Sequence, residues 1–109
     1  MFGRLKKNYE FQNVYRAGVS KSNNYFVMYV LERESGANRY GFSVSKRVGN
    51  SVVRHRITRL LRETIRKNDP ALKPGRDIII AARPSVKGKC LKDIENAVLH
   101  LCKIHGVRK

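Results

Sequence analysis

Between Ser45 and Asn68 the chain reads SKRVGNSVVRHRITRLLRETIRKN, and its chemically capable residues are concentrated there. The stretch holds eight Lys and Arg and a single acid, Glu63. His55, Arg59, Arg62 and Arg66 recur three and four residues apart, a spacing that puts side chains on one face of a helix. Guanidinium groups in a row, without a matching row of acids, suit phosphates, because they offer charge and forked donors to anionic oxygens. An ordinary solvated face would mix signs and carry acid–base pairs four residues apart.

Bond-breaking chemistry is harder to place. Two-metal hydrolysis of a phosphodiester needs carboxylates gathered within a few ångströms, and the eight acids are scattered along the sequence with no convincing pair. A histidine-based nuclease needs a positioned general acid and base. His55 falls in the basic stretch while His100 and His105 fall near the C-terminus, with no evident joint site. The spacing of His100, Cys102 and His105 matches no zinc pattern. Cys90 and Cys102 are expected on one helix about 18 Å apart, too far for a disulfide.

The basic stretch predicts a helix from Asn50 to Lys67. Stepping about 100° per residue from Val53 puts Ile57, Leu60, Leu61 and Ile65 in one apolar sector. His55, Arg59, Arg62 and Arg66 fall opposite, and Arg54 and Arg56 on the two borders. Asn50 or Ser51 can cap the helix. Gly49 allows a sharp turn or the approach of another backbone. Lys46 and Arg47 stand just before a helix N-terminus, whose free N–H groups favour anions. The phosphate-loop pattern GxxxxGK[ST] is absent.

Other elements must carry this helix. A first helix is expected from Asn8, as N-cap, to Gly18, with Phe11, Val14 and Tyr15 on one face. SKSNN reads as loop. Tyr25 to Arg33 is strand-like, with Phe26, Met28 and Val30 facing one way and Tyr25, Val27, Tyr29 and Leu31 the other. In the next strand Tyr40, Phe42 and Val44 share one face, leaving Gly41, Ser43 and Ser45 on an open polar one. A hairpin is the expected connection between these two strands. DIIIAAR is a short buried strand. Leu91 to His105 is a final helix with Leu91, Ile94, Val98 and Leu101 as its stripe. The order αββαβα predicts an α+β two-layer sandwich with helices on one side of a small sheet. Phe11, Tyr15 and Tyr29 can then meet across the open sheet surface. Aromatics beside basic groups suit single-stranded nucleic acid, since every base offers a face to stack on. The competing reading makes them core.

The whole chain agrees with a binding role. It has 109 residues, which fits one domain over 1–109, with 41% hydrophobic residues. Lys and Arg number 24 against 8 acids, a net charge of +16, which selects nucleic acid as partner first and anionic membrane second. No apolar run reaches the roughly 18 residues of a membrane span. The N-terminus lacks a signal-peptide stretch, so a cytoplasmic location is expected. Charge alone still admits a ribosomal or chaperone-like RNA binder and a DNA-binding regulator. For the regulator no helix-turn-helix pair is visible, and phosphate contacts carry no base code.

GFSVSKRVGNSVVRHRITRLLRE strongly resembles the signature of the bacterial ribonuclease P protein subunit: a small-residue strand, Lys-Lys/Arg, Gly-Asn, and an Arg-Asn-Arg triplet in a basic helix. RLKKNYEFQNVYRAG resembles the first helix of that family and DIIIAARP its third strand. The triplet departs at His55, where the family carries Asn. The resemblance implies a fold like ribosomal protein S5 domain 2 with a left-handed βαβ crossover, against the right-handed rule. It implies a subunit that binds a catalytic RNA, one protein per RNA, and helps it remove the 5′ leader of precursor tRNA. The chemistry would then belong to the RNA with Mg2+. By the same resemblance Lys46, Arg47, Asn50, Arg54, His55, Arg56, Arg59, Arg62 and Arg66 face RNA. Phe11, Tyr15, Tyr29, Ser43 and Ser45 would line the cleft for the leader.

Overall fold

The structure is a computed structural model that describes residues 2–109. Its elements are β1 (Gly3–Arg4), α1 (Asn8–Ala17), β2 (Val19–Ser22), β3 (Phe26–Glu32), β4 (Arg39–Ser43), α2 (Ser51–Asn68), β5 (Arg76–Ala82) and α3 (Leu91–Ile104). Short 3₁₀ turns follow α2 at Asp69–Ala71 and β5 at Pro84–Val86.

The organising element is β5. Ile78, Ile79 and Ile80 are all fully buried, an apolar run without alternation of the kind a strand covered on both faces requires. The sheet order is β1-β4-β5-β3-β2. β5 therefore lies between the two strands expected to form a hairpin, and that expectation fails. β3 pairs antiparallel with β5, Met28 opposite Ile80, while β4 pairs parallel with it, Phe42 opposite Ile80. The SKSNN loop is also corrected. Val19–Ser22 is a fully exposed edge strand antiparallel to β3. With β1, it adds two strands to the expected order.

α2 and α3 cover one face, where Ile57, Leu61, Ile65, Ile94, Val98 and Leu101 pack on Phe26, Met28, Ile78 and Ile80. α1 lies on the other face, where Val14 and Leu5 pack on Ile79. The helices are thus not all on one side. Leu91 lies outside the buried stripe of α3, which instead includes Cys102. Cys90 is the N-cap of α3 rather than part of the helix, and both cysteines are free thiols.

The hand of the β4–α2–β5 unit follows from chirality. The Arg83 N–H donates to the Tyr25 carbonyl at 2.8 Å, so odd-numbered residues of β5 turn their amides toward β3. Even-numbered residues, whose side chains face α2 and α3, turn theirs toward β4. For L-residues this puts β4 to the right of β5, viewed from the helix side with both strands running upward. The crossover is left-handed, as the family resemblance implied and against the usual rule.

Candidate nucleic-acid interface

α2 begins where β4 ends. Val48 is buried and ties the intervening turn to the core, its N–H donating to the Ser45 carbonyl at 3.0 Å. The Asn50 side chain caps the helix by accepting from the Val53 N–H at 3.0 Å. Gly49 serves neither expected role. Its φ is not positive, and an added Cβ would stand 2.8 Å from the Val53 side chain. Glycine is needed there because the first turn of the helix packs back on it.

The helix is half core and half cationic rail. Ile57, Leu61, Thr64 and Ile65 are buried, while His55, Arg59, Arg62 and Arg66 are exposed. Arg54 and Arg56 are half-buried at the borders, as their wheel positions predict. Arg56 is partly committed, since its Nη2 donates to the Lys89 carbonyl at 2.9 Å. Arg66 is paired with Glu63, Nε to Oε2 at 3.2 Å, which raises the guanidinium's affinity for its proton and lowers that of the carboxylate. Among the described residues no ion pair engages Lys46, Arg47, Arg54, Arg59 or Arg62. The buried Nε of Arg54 has no acceptor there either.

The aromatic residues gather on the opposite face of the sheet. Gly41 of β4, Ile79 of β5 and Tyr29 of β3 form one row across the strands. Phe11 packs on Gly41 so closely that an added Cβ would stand 2.6 Å from its ring. Tyr15 meets Tyr29 edge to face, with centroids 4.8 Å apart. Tyr15 remains exposed, and Phe11 and Tyr29 are half-buried. These rings pack together and still present surface, so the core does not enclose them fully. The next row on this face is Ser43, Ala81, Val27 and Ser22, small or half-exposed residues in register across four strands. Ser43 therefore extends the aromatic floor. Ser45 is exposed, past the end of β4.

The rail and the aromatic floor lie on opposite faces and adjoin at the outer edge of β4. β1 pairs only with Arg39 and Tyr40, so that edge is open beyond them.

Acids do not gather at either surface. Asp77 is buried beneath Arg33 and Arg39, and Glu10 pairs with Arg39. Asp69 accepts from the buried Tyr40 hydroxyl at 2.5 Å and from Asn38 Nδ2 at 3.2 Å. Burial and the Asp69 carboxylate hold that phenol protonated. Among the described residues no three His, Cys, Asp or Glu side chains stand close enough to share a metal ion, so this donor set does not suit a resident two-metal centre.

Sequence reasoning missed what holds α1. Lys7, not Asn8, is its N-cap. Glu10 Oε1 accepts from the Lys6 and Lys7 N–H groups, each at 2.9 Å, which lowers the Glu10 pKa. The signal was present: a Glu three residues into a helix commonly reaches back to its first turn.

The family model described as ribonuclease P matches residues 2–106. A ribonuclease P protein component of Lachnoclostridium phytofermentans is 52% identical over 103 residues, spanning 94% of this chain and 89% of that protein. The Staphylococcus aureus RNase P protein structure superposes with a TM-score of 0.89 at 37% identity, covering 97% of each chain. The RNase P protein from Thermotoga maritima gives 0.85 at 25% identity, covering 93% of this chain and 96% of that one.

Proposed function

The chain belongs to the ribonuclease P protein family and is a subunit of that tRNA 5′-processing endoribonuclease; from this premise we propose how its two surfaces divide the work. The partner of the family is the ribonuclease P RNA. The rail of α2, together with Lys46, Arg47 and the capped helix start at Asn50, binds phosphates of that RNA. The floor of Phe11, Tyr15, Tyr29 and Ser43, continued by Ser45, binds the single-stranded 5′ leader of precursor tRNA. Mg2+ is held by the RNA, which performs the hydrolysis. One protein serves one RNA, in the cytoplasm; no described helix is long and apolar enough to cross a membrane.

The observation that carries this reading is the separation of the surfaces. The rail is cationic and nearly free of acids, as a phosphate-tracking face should be. The opposite face offers rings beside a shallow small-residue floor, as base stacking requires. Glu10, Asp77 and Asp69 are engaged by Arg39, Arg33, Tyr40 and Asn38, and Glu63 is the one acid on the rail helix between Ser51 and Asn68.

The test is reconstitution at low Mg2+ with precursor tRNA and a ribonuclease P RNA. Leader release should need both protein and RNA. Release by the RNA-free protein would place the chemistry in this chain and overturn the reading. Unchanged RNA activity on adding the protein would overturn it equally.

A further inference from the structure

A pocket at the outer edge of β4 joins the two surfaces, sharing Phe11 with the floor and Arg62 and Arg66 with the rail. Its volume is about 550 Å³, within the range of small-ligand sites. Phe2, Phe42, Leu5 and Gly41 line it, and the half-buried Phe2 ring meets Tyr40 edge to face at 5.3 Å. Arg4, Lys6, Arg62 and Arg66 supply its charge, and no acid lines it. β1 stops at Arg4, so no strand covers the main chain of Phe42 along this edge. Half-buried rings, open backbone and cations thus converge on one concavity, the combination that suits an unstacked nucleotide: ring against base, guanidinium against phosphate.

We propose that this pocket receives one unpaired nucleotide of the catalytic RNA, flipped out of its stack, with the base against Phe2 and Phe42 and its phosphate at Arg62. The proposal rests on the reading of α2 as the face for that RNA. Arg62 supplies the continuity, since it lies on the rail and also lines the pocket. The rail then supplies salt-sensitive affinity, and the pocket fixes register at one nucleotide.

The test uses the full-length protein with a ribonuclease P RNA. Phe2→Leu and Phe42→Leu keep an apolar side chain and remove the ring. Each should weaken RNA affinity about 5- to 150-fold, the range for one lost base–aromatic stack. The slope of log affinity against log salt should stay unchanged, whereas Arg62→Ala should reduce that slope by about one phosphate. Benzoylphenylalanine at position 2 should crosslink in the assembled complex to one unpaired nucleotide of the catalytic RNA. Unchanged affinity in both leucine variants, alongside the expected Arg62→Ala effect, overturns the pocket and leaves the rail standing. Crosslinking to the leader or to duplex RNA also overturns the pocket. An unchanged salt slope on Arg62→Ala and Arg59→Ala together overturns the rail.

Discussion

Arg39 clamps Glu10. Its Nη1 donates to Glu10 Oε2 at 2.8 Å, while its Nε and Nη2 hold the two oxygens of Asp77 at 2.8 and 2.6 Å. A strand of the sheet thereby grips the residue next to Phe11, and through Glu10 the first turn of α1. Removing the guanidinium deprives the buried Asp77 of two donors and leaves it with Arg33. Arg39→Gln should lower stability by about 1.5–3 kcal/mol, the usual contribution of hydrogen bonds to a charged group. It should also reduce the preference for precursor over mature tRNA, because α1 loses its anchor beside the aromatic floor. Thermal melting and the two tRNA affinities of the holoenzyme measure these effects. An intact tRNA preference in a variant that melts earlier would show that the clamp serves folding alone.

The edge-to-face pair of exposed Tyr15 and half-buried Tyr29 makes the leader reading specific. Tyr29→Ala and Phe11→Ala should each cost about 1–3 kcal/mol of affinity for precursor tRNA and leave mature tRNA unaffected. Both should also melt somewhat earlier, because both rings are half-buried. Equal losses for the two tRNAs would remove these rings from the leader site.

Salt should expose the rail. If six to ten phosphates are neutralised, RNA affinity falls roughly 10³- to 10⁵-fold between low and moderate salt. A flat titration would be incompatible with phosphate tracking by α2.

His55 tests the departure from the family triplet. It is exposed opposite the core, so His55→Asn should change stability by no more than about 0.5 kcal/mol. Neutral His and Asn each offer a donor and an acceptor, so His55→Asn should keep most of the RNA affinity. Arg54→Ala and Arg56→Ala should weaken binding and each reduce its salt slope by about one phosphate. A loss in His55→Asn as large as in the arginine variants would show that the imidazole makes a contact Asn cannot replace.

His105 governs a different pH effect. Its Nε2–H donates to the Met28 carbonyl at 2.9 Å, and burial holds its pKa below the ordinary 6.5. The unfolded chain takes up this proton near 6.5 and the folded chain only at lower pH. Between those values the unfolded state binds more protons, so stability falls as pH drops. Melting points recorded from pH 7.5 to 5.5 should decline in the native protein and decline less in His105→Gln. Parallel declines would assign the effect to other groups.

Much of this was legible from periodicity. The 3.6-residue repeat separated the core side of α2 from Arg59 and Arg62 because one helix face is a local property. The alternation in β3 likewise put Phe26, Met28 and Val30 on one face, which the structure buries. Strand adjacency was not legible, because pairing depends on which segment returns to fill the sheet. The hint lay in Ile78 to Ile80, whose unbroken apolar run asks for cover on both faces and so for a central strand with α1 beyond it. β2 escaped notice because Ser20, Lys21 and Ser22 bury nothing; backbone pairing to β3 alone makes them a strand. The aromatic floor was half legible: Phe11 and Tyr29 are conspicuous residues, but the row from Ser43 to Ser22 exists only once four strands are in register.

The central position of β5 also dictates how the molecule is made. Phe26 is partnered by Ala82 and Gly41 by Ile79, so neither β3 nor β4 has its inner neighbour while the chain is still short. During synthesis β2 and β3 can pair as soon as they emerge, but the sheet must wait until Ala82 has left the ribosome. In that interval α2 is already outside, carrying its full charge and an apolar face with nothing to pack on. Long-range pairing of this kind slows folding. A nascent chain halted before Arg76 should therefore be protease-sensitive and adhere to ribosomal RNA, and one halted well after Ala82 should be resistant.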